Sequence, residues 1–416
     1  MQVNPFLWYD KKNVFCGEMH PADELRGEKS TKLSKKRIIL GVTGSIAAVE
    51  SVQLSRELIR HGADVIPVMT KAATRIIHPD ALEFATGHKP IVELTGKTEH
   101  VFFCGLVKNP VDLLLVSPCT ANTLSKIALG VDDTPVTTFA TTAIGSGIPI
   151  ILVPAMHLSM YHHRVFQQNI KKCKQLGIFV VNPLISKNKV RMPSVDDLVG
   201  LVFQQVGKND LAQKKILVIG GGTAEPVDDI RVFTNRSSGK TAVSLATTAF
   251  ERGATVELWY GNGSELVPSY ISVKRFDTVR DLLNLVKNNQ VKQFDCIIVC
   301  AAIANYLPKR YKGKIPSGKE KLILEFSPAP TVLQTLRSLA PKSKIIAFKA
   351  EEQKNEVSKK AVQLLKKHNL DGVIGNTLSA FGRAENEILI VTNKGKRFWR
   401  KGKKEDLAYA ILDLIV

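Results

Sequence analysis

Twice along this chain an apolar run ends in a glycine-rich turn that opens toward a helical repeat, and this arrangement constrains the fold more than any other feature. The first begins at Ile38-Ile39-Leu40 and passes into Gly41-Val42-Thr43-Gly44-Ser45-Ile46-Ala47-Ala48. Apolar residues then recur at Val52, Leu54, Leu58 and Ile59, Gly62 stops the repeat, and 63–69 is a second apolar run. The second begins at 216–219, passes into Gly220-Gly221-Gly222-Thr223, and is followed by helical spacing over 240–252 and an apolar run over 255–260. Strand, tight turn, helix, strand is a βαβ unit. Alternation continues with strands expected at 111–117, 148–153, 178–181, 296–300 and 345–348 and helices at 121–129 and 166–176. Such alternation implies parallel sheets covered by helices on both faces.

The expected fold class is therefore α/β. A flavodoxin-like or Rossmann-like parallel sheet is expected in the amino-terminal half and a second Rossmann-like α/β domain in the carboxyl-terminal half. The chain has 416 residues, enough for roughly two to three domains. A polar stretch over 201–214 with an Asn209-Asp210 break suggests an extension at 1–34, one domain over 35–205 and another over 206–416. The opening residues are polar and mixed in charge, without an apolar signal core. No apolar run reaches the ~18 residues needed to span a bilayer. The expected location is the cytoplasm.

Lys and Arg number 58 against 38 Asp and Glu, for a net charge of +20. Such an excess attracts nucleic acid, acidic surfaces or small phosphorylated ligands. The lysine-dense stretches lack interleaved aromatics and no nucleic-acid motif is present, so phosphorylated small molecules are the favoured partners. The six cysteines form no CxxC and the histidines no HExxH, so neither a zinc site nor a disulfide framework is indicated.

Helix N-termini expose unpaired N–H groups and the positive end of a dipole, so each glycine turn suits a phosphate. Neither turn matches GxGxxG or GxxxxGK[ST], which disfavours an ordinary dinucleotide dehydrogenase and a P-loop NTPase. Ser117-Pro118-Cys119-Thr120-Ala121-Asn122-Thr123 follows another strand and adds hydroxyls and amides at a helix start.

Taken together the motifs become specific. GVTGSIAA (41–48), His100, SPCTANTLSKIALGVDD (117–133) and VPAMHLSMY (153–161) resemble the flavin-dependent cysteine decarboxylase family. GGGTAEPVDDIRVFTNRSSGK (220–240), CAAIANYLP (300–308), KIPSG (314–318), FKAEE (348–352) and GNTLSAFG (375–382) resemble phosphopantothenate–cysteine ligases. The two in this order resemble the bifunctional coenzyme A biosynthesis family, over about 20–416. The resemblance implies that the second half joins cysteine to 4′-phosphopantothenate through an acyl-nucleotide, using CTP or ATP and Mg²⁺. The first half then decarboxylates the product to 4′-phosphopantetheine with FMN. An α-amino carboxylate lacks an electron sink for CO₂ loss; the flavin supplies one by oxidising the thiol side toward a thioaldehyde.

By resemblance, FMN meets Gly44, Ser45, Ile46, Ala47, Thr70, Ser117, Thr120, Ala121 and Asn122. His100 is the general acid or base. Met156 and His157 meet the substrate, His157 standing where many relatives carry asparagine. The flap that carries a cysteine in common bacterial members reads Ser186-Lys187-Asn188-Lys189-Val190-Arg191-Met192-Pro193. Lys187, Lys189 and Arg191 are its expected substrate contacts, and Cys173 is a poor substitute for the missing thiol. In the ligase half Asn235 donates to the acyl carbonyl of the intermediate, Arg231 orients it or a phosphate, and Lys314 neutralises phosphoryl charge. Gly221, Gly222, Ser237, Ser238, Gly239, Ala301, Asn305, Pro330, Thr331, Val332, Phe348 and Lys366 complete the nucleotide contacts, Asn305 replacing a common aspartate. The resemblance further implies trimers of the flavin half and dimers of the ligase half, hence a closed homo-oligomer. The alternatives are a peptidyl-cysteine decarboxylase or flavin prenyltransferase, which lack the second domain, and a basic nucleic-acid binder, which rests on charge alone.

Overall fold

The computed structural model describes residues 20–318, 321–377 and 385–415. Residues 1–19 of the amino-terminal extension and 378–382 of the GNTLSAFG motif lie outside the described residues. The chain divides into two compact units between Val206 and Gly207.

The first unit has a five-stranded parallel sheet built from β1 (Arg37–Val42), β2 (Asp64–Met69), β3 (Leu113–Cys119), β4 (Ile150–Pro154) and β6 (Phe179–Val180). Its order is β2-β1-β3-β4-β6, the flavodoxin-like arrangement. Ile38, Ile39, Leu40, Leu113, Leu114 and Leu115 are fully buried, because helices cover both faces and leave no strand a polar side. A small antiparallel sheet joins β5 (Met156–His157), β7 (Leu184–Ser186) and β8 (Lys189–Arg191) in the order β5-β8-β7. The helix Pro135–Gly145 is not expected from apolar spacing, because five of its eleven residues are threonine or glycine at positions that blur the repeat. A capping box between Thr134 and Thr137, with Pro135 at the first turn, starts it instead. Residues 20–34 pack on this unit: Leu33 is fully buried, Arg26 Nη1 donates to Ala63 O at 2.6 Å, and Lys29 pairs with Glu57.

The second unit is an eight-stranded sheet of β9 (Lys215–Gly220), β12 (Thr255–Tyr260), β13 (Ser272–Arg275), β14 (Cys296–Val299), β17 (Lys344–Glu351), β18 (Gly372–Thr377), β19 (Glu385–Thr392) and β20 (Arg397–Lys403). Six parallel strands run β13-β12-β9-β14-β17-β18, which is the 3-2-1-4-5-6 order of a dinucleotide-binding sheet. β19 and β20 then add antiparallel strands at one edge. Two short hairpins complete the unit: β10 (Ala224–Pro226) with β11 (Val232–Thr234), and β15 (Tyr306–Pro308) with β16 (Phe326–Pro328). At the back of the unit Arg252, 3% exposed, makes a two-pronged bond to Asp210 at 2.8 and 2.9 Å and reaches Asp413 at 2.8 Å.

No helix among the described residues is long and apolar enough to cross a membrane.

Candidate functional site

In open α/β sheets a ligand lies beyond the carboxyl ends of the strands, where the strand order reverses. In the first unit that point falls between β1 and β3. The turns that follow these two strands are tied together there. Thr43 Oγ1 donates to Pro118 O at 2.7 Å and accepts from Thr120 N at 3.0 Å. Ser45 caps the 3₁₀ turn Ile46–Glu50, and Thr120 caps the helix Ala121–Leu129. At the end of β2, Thr70 donates its backbone N–H to Val42 O and accepts from Ala73 N. Gly44 is required by close approach: a Cβ there would stand 2.6 Å from Ala72 Cβ. Gly44, Ser45, Thr70, Ser117 and Thr120 therefore converge, with Ile46, Ala47, Ala121 and Asn122 on the adjoining turns. One difference from expectation is local: the first turn opens into a 3₁₀ segment before the helix Ser51–Arg60 begins.

The flap joins this group through the small sheet. His157 stands opposite Lys189 and Met156 opposite Val190, and Ser117 Oγ donates to Met192 Sδ at 3.6 Å. Lys187 lies in the turn of the hairpin with φ +44°, and Arg191 is exposed on β8 opposite Leu184. His157 is engaged locally, its Nδ1 bonded to Ser159 Oγ at 2.9 Å. His100 sits on the short helix Glu99–Cys104, which packs on Pro135–Gly145 through Phe103 and Phe139. No hydrogen bond joins His100 to either turn, and its Nδ1 is buried without a partner among the described residues. Cys173 is buried and its thiol is pushed up to about 11 by burial, so it holds no useful thiolate at neutral pH.

In the second unit the strand order reverses between β9 and β14. A cleft of about 460 Å³ opens there. Gly221, Ser237, Ser238, Gly239, Ala301, Asn305, Pro330, Thr331, Val332 and Phe348 all line it. Gly222 lies against its rim, donating to Asn262 O at 2.7 Å. Asn235 follows β11 and its Nδ2 donates to Ala302 O at 3.3 Å, which sets it beside the cleft wall formed by Ala301 and Ala302.

Three expected residues stand elsewhere. Lys366 does not line the cleft; Leu364 does. Two residues along a helix point about 200° apart, so the helix Lys354–Lys367 turns Leu364 inward and Lys366 to solvent. Arg231 is not joined to Asn235: its Nη1 is bonded to Asp228 Oδ2 at 2.6 Å and Ile315 O at 3.2 Å. Lys314 is exposed on a loop outside the cleft lining.

The cleft also contains residues that motif reading passed over: Lys240, Lys349, Lys404, Asn376 and Asn386. Lys240 directly follows Ser-Ser-Gly, and its position at a helix start was the available signal. Lys404 opens the last helix, Lys404–Leu412, far from any motif. Its ammonium is held below the ordinary lysine range by burial and by the charge of Lys240, with Glu265 opposing. Two facing cations and the start of the helix Lys240–Glu251 suit a phosphate chain. Among the described residues no cluster of three His, Cys, Asp or Glu side chains could cage a metal ion.

Comparison with known proteins agrees with this division. The Flavoprotein family model matches residues 26–207. The model of the DNA/pantothenate metabolism flavoprotein C-terminal domain matches 211–416. The coenzyme A biosynthesis bifunctional protein CoaBC of Thermococcus kodakarensis is 40% identical over 402 residues, spanning 95% of this chain and 99% of that protein. The protein of the same name from Methanocaldococcus jannaschii is 37% identical, over 95% and 97%. That of Escherichia coli K12 is 29% identical, over 92% and 97%. Among solved structures, the DNA/pantothenate metabolism flavoprotein from Streptococcus pneumoniae is 23% identical over 49% of this chain and 98% of that one, with a TM-score of 0.45. With two α/β units in this order, capped turns converging at the first sheet's point of reversal, a cleft at the second's, and relatives aligned over nearly their whole length, the chain belongs to the family of bifunctional coenzyme A biosynthesis proteins, CoaBC.

Proposed function

We propose that the second unit binds its nucleotide in the cleft beside β9 and β14 and that the first unit binds FMN between the turns after β1 and β3. Family membership gives the chain two activities, a phosphopantothenate–cysteine ligase and a phosphopantothenoylcysteine decarboxylase. The convergence of ten expected nucleotide contacts on one cleft is the observation that carries the ligase reading.

In this reading CTP or ATP enters with its base against Ala301, Asn305 and Phe348 and its phosphates toward Ser237, Ser238, Lys240 and Lys404. Mg²⁺ is carried by those phosphates, as it commonly is when the protein offers few carboxylates. The carboxylate of 4′-phosphopantothenate attacks the α-phosphate and releases pyrophosphate. Cysteine then displaces the nucleotide to form the amide, and Asn235 donates to the carbonyl oxygen as it gains charge. Lys314 stands on its exposed loop outside the lining, and in this reading its long flexible stem extends the ammonium to the phosphoryl groups to offset their charge.

In the first unit the residues fit a flavin phosphate: a capped turn at Ser45, a glycine where Cβ has no room, and a second capped helix start at Thr120. Bound there, FMN supplies the two-electron oxidation and return that make CO₂ loss accessible. His100, with a buried and unpartnered ring nitrogen, moves the proton. His157, Lys189 and Arg191 hold the substrate's carboxylate and phosphate, the flap lysines standing in for a missing thiol.

Exposed Val232, Phe233, Tyr306 and Phe326 support a dimer of the second unit, and a closed homo-oligomer follows if the first unit forms trimers. The charged substrates are retained by membranes, so the enzyme works in the cytoplasm. The test is His100→Ala in the full chain: flavin absorbance should persist in the purified protein while CO₂ release from phosphopantothenoylcysteine falls at least a hundredfold. Unchanged CO₂ release removes His100 from the mechanism.

A further inference from the structure

The loop that carries Lys314 is fastened on both sides by two consecutive carboxylates of the Asp-Asp-Ile-Arg segment. Ile315 N donates to Asp228 Oδ2 at 3.0 Å, and Gly313 N donates to Asp229 Oδ2 at 3.1 Å. Asp229 N returns a bond to Gly313 O at 3.3 Å. The amides immediately before and after Lys314 are thus both engaged, and the Ile315 side chain is buried.

Asp228 does more than hold one amide. Its Oδ1 accepts from Ile230 N at 2.8 Å and Arg231 N at 2.6 Å. Its Oδ2 accepts from Arg231 Nη1 at 2.6 Å as well as from Ile315 N. Arg231 Nη1 in turn reaches Ile315 O at 3.2 Å. One buried carboxylate therefore links the segment leading to Asn235 with the segment carrying Lys314. The Ile315 and Arg231 amides, in that order, hold the Asp228 carboxyl well below the usual carboxylate range. It stays an acceptor across the working pH range, which is what a clamp on four donors requires. Asp229 is half exposed and also pairs with Arg310 at 3.0 Å, so it is the weaker half of the clamp.

We infer that Asp228, assisted by Asp229, is a positioning residue for the ligase reaction: it fixes the backbone on either side of Lys314 and holds Arg231 against the same loop, so that Lys314 meets the phosphoryl groups from a set place. This rests on the ligase reading above, in which Lys314 acts on the nucleotide's phosphates. It also gives Arg231 a different task from the one its motif suggests. Arg231 braces the Lys314 loop rather than orienting Asn235.

The experiment is a double-mutant cycle in the full chain, reading pyrophosphate release and amide formation separately. Asp228→Asn keeps the shape but replaces one acceptor oxygen by a donor. It should lower kcat by about tenfold or more, since small displacements of a catalytic group have large kinetic effects. The KM for nucleotide should stay within about threefold, because the cleft lining is untouched. Asp228→Asn added to Lys314→Met should cost nothing beyond Lys314→Met alone, as expected for residues acting as one unit. Folding is checked by the emission of buried Trp259. Should Asp228→Asn not fold, Asp229→Asn at an exposed site carries the same cycle, with a smaller kcat loss expected. Full kcat in a folded Asp228→Asn, or multiplying losses in the double variant, overturns the inference and leaves Lys314 in place. Full kcat in Lys314→Met overturns both the inference and the role given to Lys314.

Discussion

Gly239→Ala tests whether the phosphate turn of the second unit is built as described. Gly239 stands at the start of the helix Lys240–Glu251 with φ +76°, and a Cβ there would fall 1.9 Å from Tyr260 Oη and 2.4 Å from Cζ. Tyr260 is fully buried and its hydroxyl donates to Ser238 O at 3.1 Å and Glu265 O at 3.2 Å. The ring has no free end to swing aside. Left-handed backbone costs an alanine about 1–2 kcal/mol. Overpacking a filled core adds about 1–3 kcal/mol. Together they amount to about 2–5 kcal/mol, or about 1 M or more off the urea midpoint at an ordinary slope. Two of the three tryptophans lie in this unit, Trp259 buried and Trp399 on β20, so with Trp8→Phe as the background tryptophan emission follows this unit's unfolding. The nucleotide KM should rise as well, because Ser238 loses the tie that orients it. Tyr260→Phe removes the nearest clashing atom and should recover about 1 kcal/mol of the alanine's cost. A midpoint within about 0.2 M of wild type, with unchanged nucleotide KM, would refute the reasoning.

Other expectations are as specific. Asn235→Ala should let pyrophosphate form while amide formation falls about a hundredfold, the usual loss for one oxyanion donor; unchanged amide yield removes Asn235 from the second step. Lys404→Met should raise the nucleotide KM about tenfold or more, the effect of one charge-assisted hydrogen bond, and Lys404→Arg should restore most of it. An unaffected KM would show that phosphates do not reach Lys404. Arg252→Met should destabilise the second unit by about 2 kcal/mol at neutral pH through its lost bonds to Asp210 and Asp413. The Asp210 carboxyl is lowered by its bond to Arg252, so that stability is present above the unfolded value of about 3.9 and is lost as pH falls through the folded one. The gap between wild type and variant, read by urea titration, should therefore close below about pH 4; a constant gap would contradict the pairing.

Most parallel strands of the two sheets are legible because burial on both faces makes them continuous apolar runs, as in Ile38–Leu40 and 216–219; β13, Ser-Val-Lys-Arg at the sheet's edge, and β18, interrupted by Gly375, are not among the expected strands. The antiparallel edge is not legible either. β20 reads Arg-Phe-Trp-Arg-Lys-Gly-Lys, and its pairing with β19 is a tertiary fact that no local pattern declares. The hairpins of β10 with β11 and β15 with β16 are three residues per strand, too short for alternation to register. At the sites, residues next to a glycine turn were legible, since the turn itself dictates where their backbone goes. For Lys366 the sequence lacks helical phase, so its register stays open against Lys367, and the structure turns Leu364 rather than Lys366 to the cleft. Lys404 was invisible because the sheet, not the sequence, brings the final helix to the cleft. Arg231 and Asp228 lie three residues apart, yet their shared target, Ile315, is far along the chain.

The most direct test of the whole account follows both activities in one reaction. The purified full chain is given 4′-phosphopantothenate, carboxyl-labelled cysteine, Mg²⁺ and CTP or ATP in turn, and products are identified by mass spectrometry. The account predicts pyrophosphate and labelled CO₂ in equal amounts, with 4′-phosphopantetheine as the final product from a yellow protein. Pyrophosphate without CO₂, or neither with any nucleotide in a folded and flavin-loaded sample, would contradict it.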